Sequence, residues 1–413
     1  MYRFRFTLLL LFILATFASL PTQAQEVEDT IKIKTRVVFL DALVKDKKTN
    51  LPISNLTTDN FQVLDDGKPR DISYFTREGQ ARKPLALILI LDLREDGAGR
   101  FLKEPEILKA MENELAKLPP GDEVAIMAMD MNNEDEERLW LTEFTNERAK
   151  LAAALARVPA MCVDHEGQPS ETKSTEAAKT EDTAGKPDDI VETEKIVGKN
   201  GAIVIRETRR DGSVNVKRTN KKGDVTVDLG DVYDMAAAVK DATRKAEQTR
   251  PNSQLSIVWV SDGIAPIFFE DRDATEQILI RNNVIFNSLT VELRTLFKFL
   301  LPVAKPIGGW LGMSLYGSAK HLAQRSGGEA VKVGRVKDYG AGLSKIIGNL
   351  TARYSLGFAL AEDEVDDGRM HNLEVQVKAQ DEKGKTRKLQ VSSRQGYYMS
   401  STLPKDAAAK AQF

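Results

Sequence analysis

The chain has 413 residues, 42% of them apolar and 29% charged, with a formal net charge of −2. That balance describes a folded chain of roughly two domains and excludes one drawn to nucleic acid or anionic membranes by overall charge. A single cysteine, Cys162, excludes an internal disulfide, so stability has to come from core packing.

Residues 1–24 read as a secretory signal peptide. Arg3 and Arg5 precede an apolar run from Thr7 to Leu20, and Pro21-Thr22-Gln23-Ala24 supplies a small residue before the expected cut. The run falls short of the roughly 20 apolar residues that span a bilayer. An exported protein, periplasmic or secreted, with no transmembrane span in its mature chain is the expectation.

Residues 25–80 read as β structure. IKIKTRVVFLDALVKD alternates and then runs apolar, and Asp66-Gly67 is a hairpin-turn signal. This piece is too short to be comfortable as a sandwich by itself.

From Pro84 the rhythm changes to strand, helix, strand. Leu85–Leu91 predicts a buried strand that ends on Asp92. Ile107, Leu108, Met111 and Leu115 carry helical spacing, stopped by Pro119-Pro120-Gly121. Strands follow over 123–129 and 138–144, and helices over 147–158 and 232–249. The apolar run Leu255–Val260 then delivers Asp262, and alternating elements continue to Leu350. Repeated βα units over 84–350 predict an α/β, doubly wound, mostly parallel sheet.

Two insertions interrupt the rhythm. In 164–224, residues 164–194 hold 10 acids against 3 lysines and read as disordered, whereas 195–224 hold 9 basic residues against 3 acids. The basic half, with Asp211-Gly212 between alternating arms, predicts a β-hairpin. Residues 295–313, TLFKFLLPVAKPIGGWLGM, are too interrupted by proline and glycine to cross a membrane and predict a surface-docked or partner-facing apolar lid. Residues 351–400 return to β structure, and 401–413 read as a disordered tail.

The order of motifs resembles one family, the secreted von Willebrand factor A-related proteins of acidobacteria. The resemblance is carried by Leu56-Thr57-Thr58-Asp59-Asn60-Phe61-Gln62-Val63-Leu64-Asp65-Asp66-Gly67-Lys68-Pro69, then Ser326-Gly327-Gly328-Glu329-Ala330. Tyr354-Ser355-Leu356-Gly357-Phe358, His371-Asn372-Leu373-Glu374-Val375 and Arg394-Gln395-Gly396-Tyr397-Tyr398 complete it. It implies a von Willebrand factor A domain, Rossmann-like in layout. Both flanking β pieces are unconvincing alone, so they are expected to combine into one small β-sandwich into which the α/β unit is inserted.

The resemblance also implies a metal site of the pattern Asp-x-Ser-x-Ser, plus a distant threonine and aspartate. Asp92 and Asp262 stand at two of those positions, but the serine positions read Arg94 and Asp96. The threonine loop falls near Leu229–Asp234, where no threonine stands and Asp231 is the nearest oxygen donor. A guanidinium at Arg94 opposes a cation, so the expectation is a degenerate site with no metal and no cofactor. The alternative is Ca²⁺ or Mg²⁺ held by Asp92, Asp96, Asp231 and Asp262. Asp92, Arg94, Asp96, Asp231 and Asp262 are the candidate partner-binding edge, because open α/β sheets take ligands beyond the carboxyl ends of their strands.

Other chemistry is set aside. Gly97-Ala98-Gly99-Arg100 is not a dinucleotide fingerprint, and neither a phosphate loop nor a serine nucleophile elbow occurs. His165, His321 and His371 are scattered, and His371 is expected to be a satisfied surface histidine. Arg206, Arg209, Arg210, Lys217 and Arg218 read as a solvated basic hairpin rather than a nucleic-acid surface, lacking interleaved aromatics. The resulting expectation is a non-enzymatic protein-binding, adhesion or assembly module with a protein partner. A hydrolase or other enzyme using the carboxylate cluster is a further alternative.

Overall fold

The computed structural model describes residues 36–77, 82–93, 99–129, 138–161, 190–198, 201–210, 214–231, 235–291, 308–361, 363–364, 366–380 and 384–399. The expected signal peptide, the tail, most of the acidic tract, the apolar insertion up to residue 307, and both Arg94 and Asp96 lie outside these residues.

Four strands open the described chain: β1 (Arg36–Asp46), β2 (Phe61–Asp65), β3 (Lys68–Arg70) and β4 (Tyr74–Thr76). The α/β unit begins with β5 (Leu85–Asp92), α1 (Pro105–Ala116), β6 (Glu123–Met129), β7 (Arg138–Thr145) and α2 (Arg148–Met161). Four inserted strands follow: β8 (Ile190–Val197), β9 (Ile203–Arg209), β10 (Val214–Thr219) and β11 (Val225–Asp231). The unit resumes with α3 (Met235–Thr249), β12 (Gln254–Ser261), β13 (Ile264–Phe268), α4 (Phe269–Arg281) and β14 (Ile285–Val291). It ends with β15 (Met313–Tyr316), α5 (Ser318–Ser326), β16 (Ala330–Val333) and α6 (Tyr339–Thr351). Last come β17 (Tyr354–Leu360), β18 (Met370–Val377), β19 (Leu389–Ser392) and β20 (Gly396–Tyr398).

Every residue of β5 is buried. Side chains alternate between the two faces of a strand, and here the alternation sorts them into two cores. Leu85, Leu87, Leu89 and Leu91 pack with Leu108 and Met111 of α1, Leu155 of α2 and Leu343 of α6. Ala86, Ile88 and Ile90 pack with Val239 of α3, Leu279 of α4 and Leu322 of α5. Burial on both faces is why the strand reads as one apolar run, each leucine or isoleucine contributing about 1.5–3 kcal/mol.

The six-stranded sheet has the order β16-β14-β12-β5-β6-β7. All neighbours are parallel except β7, which runs antiparallel to β6 at the edge. From β5 the chain winds outward to β7, then crosses back to pair β12 with the other side of β5 and winds out to β16. The reversal leaves a crevice beyond the carboxyl ends of β5 and β12, where a doubly wound sheet receives ligands.

The remaining terminal strands make two four-stranded antiparallel sheets, β19-β1-β17-β4 and β20-β18-β2-β3. Each sheet draws strands from both ends of the chain. They share one core, which includes Leu40, Val44, Phe61, Val63, Leu356, Phe358, Leu373 and Tyr397. The Tyr354 hydroxyl donates to the Ile53 carbonyl at 2.7 Å and accepts from the Leu56 amide at 3.0 Å, stitching the late segment to the early one. The α/β unit is thus inserted into a small sandwich. Gln254 joins the entrance and exit of that unit: its backbone N–H donates to the Pro84 carbonyl at 2.8 Å and its side chain to the Leu350 carbonyl at 3.4 Å.

The inserted β8–β11 segment is a four-stranded antiparallel meander, where the sequence reading expected only a hairpin. Two of its arginines are not solvated either, although Arg210 is exposed. Arg206 is buried and paired with Asp271, and Arg218 meets Glu270 at 3.1 Å, both acids lying in the first turn of α4. Lys240 of α3 completes the buried group, 2.6 Å from Glu194 and 3.3 Å from Asp271. Arg206 shares its strand face with Val204, and alternation carries both toward the α/β unit. Among the described residues, no helix is long and apolar enough to cross a membrane.

Candidate binding site at the carboxyl edge of the sheet

At the switch point, β5 ends on Asp92 and β12 on Ser261, with Asp262 immediately after. Asp92 and Ser261 are fully buried and Asp262 nearly so. The Ser261 hydroxyl lies 2.6 Å from Asp92 Oδ2 and 3.3 Å from Asp262 Oδ1. It has one proton to give, and the shorter contact takes it. The Gly263 amide donates back to Ser261 Oγ at 3.2 Å, and the Ile264 amide donates to Asp262 Oδ1 at 2.8 Å. This tight turn needs Gly263 at φ +89°, a left-handed conformation that favours glycine.

Two further residues frame the cluster. Thr290 of β14 pairs in register with Ser261, and its side chain is the nearest neighbour of Gly263. The Tyr339 hydroxyl, at the start of α6, donates to the Ser261 carbonyl at 3.3 Å. Burial pushes the Tyr339 phenol above its ordinary value, and the negative charges of Asp262 and Asp92 push it further. Tyr339 therefore stays a neutral donor, reporting that it faces a negative site.

Of the five residues expected at this edge, the structure brings Asp92 and Asp262 together through Ser261. Arg94 and Asp96 lie outside the described residues. Asp231 ends β11, opposite Asn215 of β10, and its side chain is likewise not described. Ser261, Thr290 and Tyr339 were not singled out from the sequence. Ser261 was visible in the motif IVWVSDG, but Thr290 and Tyr339 meet the site only through sheet register and helix packing.

The oxygen donors Asp92, Ser261, Asp262 and Thr290 suit a hard cation in type. The fit is partial, because the Ser261 hydroxyl and one oxygen of each aspartate are already engaged within the protein. The arrangement offers a fixed, negatively charged floor to a crevice. After Asp262, β13 leads away from the cluster and pairs with β15 so that Ile264 lies opposite Tyr316 and Phe268 opposite Met313. Trp310, 85% exposed, precedes β15 at the end remote from Asp262.

No family model matches the chain, and no curated protein matches it in sequence. Among solved structures, the SpRpn10 VWA domain is similar at 9% identity, covering 64% of this chain and 94% of that one, with a TM-score of 0.30. The open conformation of the pilus adhesin SpaC from Lactobacillus rhamnosus GG is similar at 6% identity over 84% of this chain and 48% of the adhesin, with a TM-score of 0.35. The chain thus spans about half of that adhesin's length. The manganese-loaded TRAP protein of Plasmodium vivax is similar at 10% identity over 78% of this chain and 96% of that one, with a TM-score of 0.34. At such scores the overlaps carry no assignment, and the doubly wound fold rests on the strand order itself.

Proposed function

We propose that the protein is an exported, non-enzymatic binding module of the von Willebrand factor A-related kind, whose crevice at the carboxyl edge holds a protein partner without a metal ion. One observation carries the reading: Asp92 and Asp262 converge on Ser261 at the switch point. The sequence adds Arg94 two positions beyond Asp92, where the related metal site has a serine, which supports a degenerate site. Adhesion or assembly is the class of activity that such an edge serves, with Asp262 as the polar contact nearest the surface.

Calorimetric titration of Mg²⁺ and Ca²⁺ into the full chain tests the metal clause. No binding is expected in the parent, and measurable binding in Arg94→Ser. Tight binding by the parent that Asp262→Ala abolishes would favour the metal-dependent adhesin instead. Capture from the native envelope fraction addresses the partner clause. A captured protein should survive chelator and be lost with Asp262→Lys; retention by that variant would overturn the location of the site.

A further inference from the structure

A second constellation of ionisable groups lies in the sandwich, remote in sequence from the edge just described. Asp65 ends β2, Asp66 occupies the turn to β3 at φ 48°, and His371 lies on β18, which pairs with β2. Asp66 is held in place by two contacts with Asn372. Its amide donates to the Asn372 carbonyl at 2.8 Å, and its Oδ1 accepts the Asn372 amide at 2.9 Å. His371 is buried rather than at the surface, and its ring stacks on Tyr397 with centroids 5.0 Å apart. Its Nδ1 lies 3.1 Å from Asp66 Oδ2 and its Nε2 lies 3.2 Å from Asp367 Oδ1.

Asp65 is the unusual member. It is 3% exposed, and its Oδ2 accepts from Arg70 Nε at 3.0 Å, Arg70 Nη2 at 2.7 Å and the Tyr397 hydroxyl at 3.0 Å. Its Oδ1 is buried with no hydrogen-bond partner. A buried, unpaired carboxylate oxygen is costly. One ligand atom from each of Asp65, Asp66 and His371 lies within 4.8 Å of the others.

We propose that Asp65, Asp66 and His371 form a site for a divalent transition-metal ion, zinc by preference. His371 Nδ1, Asp66 Oδ2 and Asp65 Oδ1 are the ligands. Three features favour this reading. One imidazole and two carboxylates make a mixed nitrogen and oxygen set that suits zinc better than magnesium or calcium. Asp367 sits on the other ring nitrogen, as the carboxylate partners of metal-bound histidines do, fixing the tautomer that leaves Nδ1 free to ligate. Charge balance agrees as well. Asp65, Asp66, Asp367 and Glu364 outnumber the three guanidiniums Arg36, Arg70 and Arg369, leaving net negative charge that a cation offsets.

The competitor is Arg369, whose Nη1 is 2.9 Å from Asp66 Oδ2 and whose side chain is 56% exposed, so it can swing aside.

Zinc titration of the full chain by calorimetry, with cobalt(II) absorption as a report on the ligand set, tests the site. One equivalent should bind in the parent and equally in Asp262→Ala, which separates this site from the carboxyl edge. His371→Gln and Asp65→Asn should weaken binding by about 100-fold or more, and Asp367→Asn, which keeps all three ligands, by roughly 10-fold to 100-fold. Arg369→Ala should tighten it. Near-ultraviolet circular dichroism establishes that each variant is folded. If neither the parent nor Arg369→Ala binds zinc, or if His371→Gln binds as tightly as the parent, the cluster is a carboxylate-bridged histidine only and the proposal fails.

Discussion

Gly328 marks how closely the turn between α5 and β16 approaches β14. A β-carbon there would lie 1.9 Å from the Phe286 carbonyl oxygen, a backbone atom that cannot step aside. Gly328→Ala is therefore expected to cost about 3 kcal/mol, at the upper end of overpacking, read as a lowered denaturant midpoint with unchanged slope. The neighbouring Gly327, at φ +84°, sits under the backbone of Arg394 and faces the same restriction. Arg394 is itself buried, donating to the carbonyls of Ile280 and Phe39, and burial lowers its pKa to about 10. At this scale the sequence was informative where chemistry and local pattern coincide. Asp92 and Asp262 announce themselves at the ends of apolar runs. Tyr339 does not, because 78 residues separate it from Ser261 and only helix packing joins them. His371 misled for a related reason: its partner Asp66 lies 305 residues away, although Asp367 reaches it from the turn just before β18.

The inserted meander shows what an element can hide. β8 reads IVETEKIV and is mostly exposed, so it has no buried stripe to distinguish it from the acidic tract before it. Arg206 and Arg218 look like a solvated basic face until α4 supplies Asp271 and Glu270, in the former case 65 residues away. The buried pairing makes a prediction about docking. Arg206→Met leaves Asp271 with Lys240 alone and is expected to cost about 3–5 kcal/mol locally, as breaking one side of a buried pair does. Amide exchange should accelerate across residues 190–231 while β5 and β12 keep their protection. Uniform loss of protection across the α/β sheet would show instead that the meander and the sheet unfold as one. The large sheet, by contrast, was legible throughout, because two-sided burial leaves apolar runs that need no long-range information.

For the whole molecule, several carboxylates are tied to cations and titrate low. Burial raises Glu276, but hydrogen bonds from His321 and Arg325 outweigh it and hold its pKa below 4.5. Hydrogen bonding to Arg70 is the main reason Glu364 is lowered as well. A carboxyl whose folded pKa is depressed adds stability that is complete above the unfolded value. That stability is lost as pH falls through the folded value, because the unfolded chain takes up the proton first. Thermal midpoints should therefore hold from neutral pH to about 5 and decline steadily below it. In Glu276→Gln the midpoint at pH 7 should be lower and the decline toward pH 3 shallower. An acid limb as steep as the parent's would remove Glu276 from this account. The sandwich was legible only as two inadequate halves, since neither terminal segment holds enough apolar faces to close a core by itself.

The grip of Gln254 on both Pro84 and Leu350 has a kinetic meaning. β1 and β17 must find each other with Arg36 opposite Leu360, across nearly the whole described chain. Closing so long a flexible loop is entropically costly and slow. Once the α/β unit has formed, its two ends are already held side by side, and the effective loop shrinks from a few hundred residues to roughly fifty. By the logarithmic dependence of closure entropy on length, that removes about 1.5 kcal/mol from the search. Pulsed hydrogen exchange during refolding should accordingly protect β5 and β12 before β1 and β17. The insertion that interrupts the sandwich in sequence would then be the element that assembles it in time.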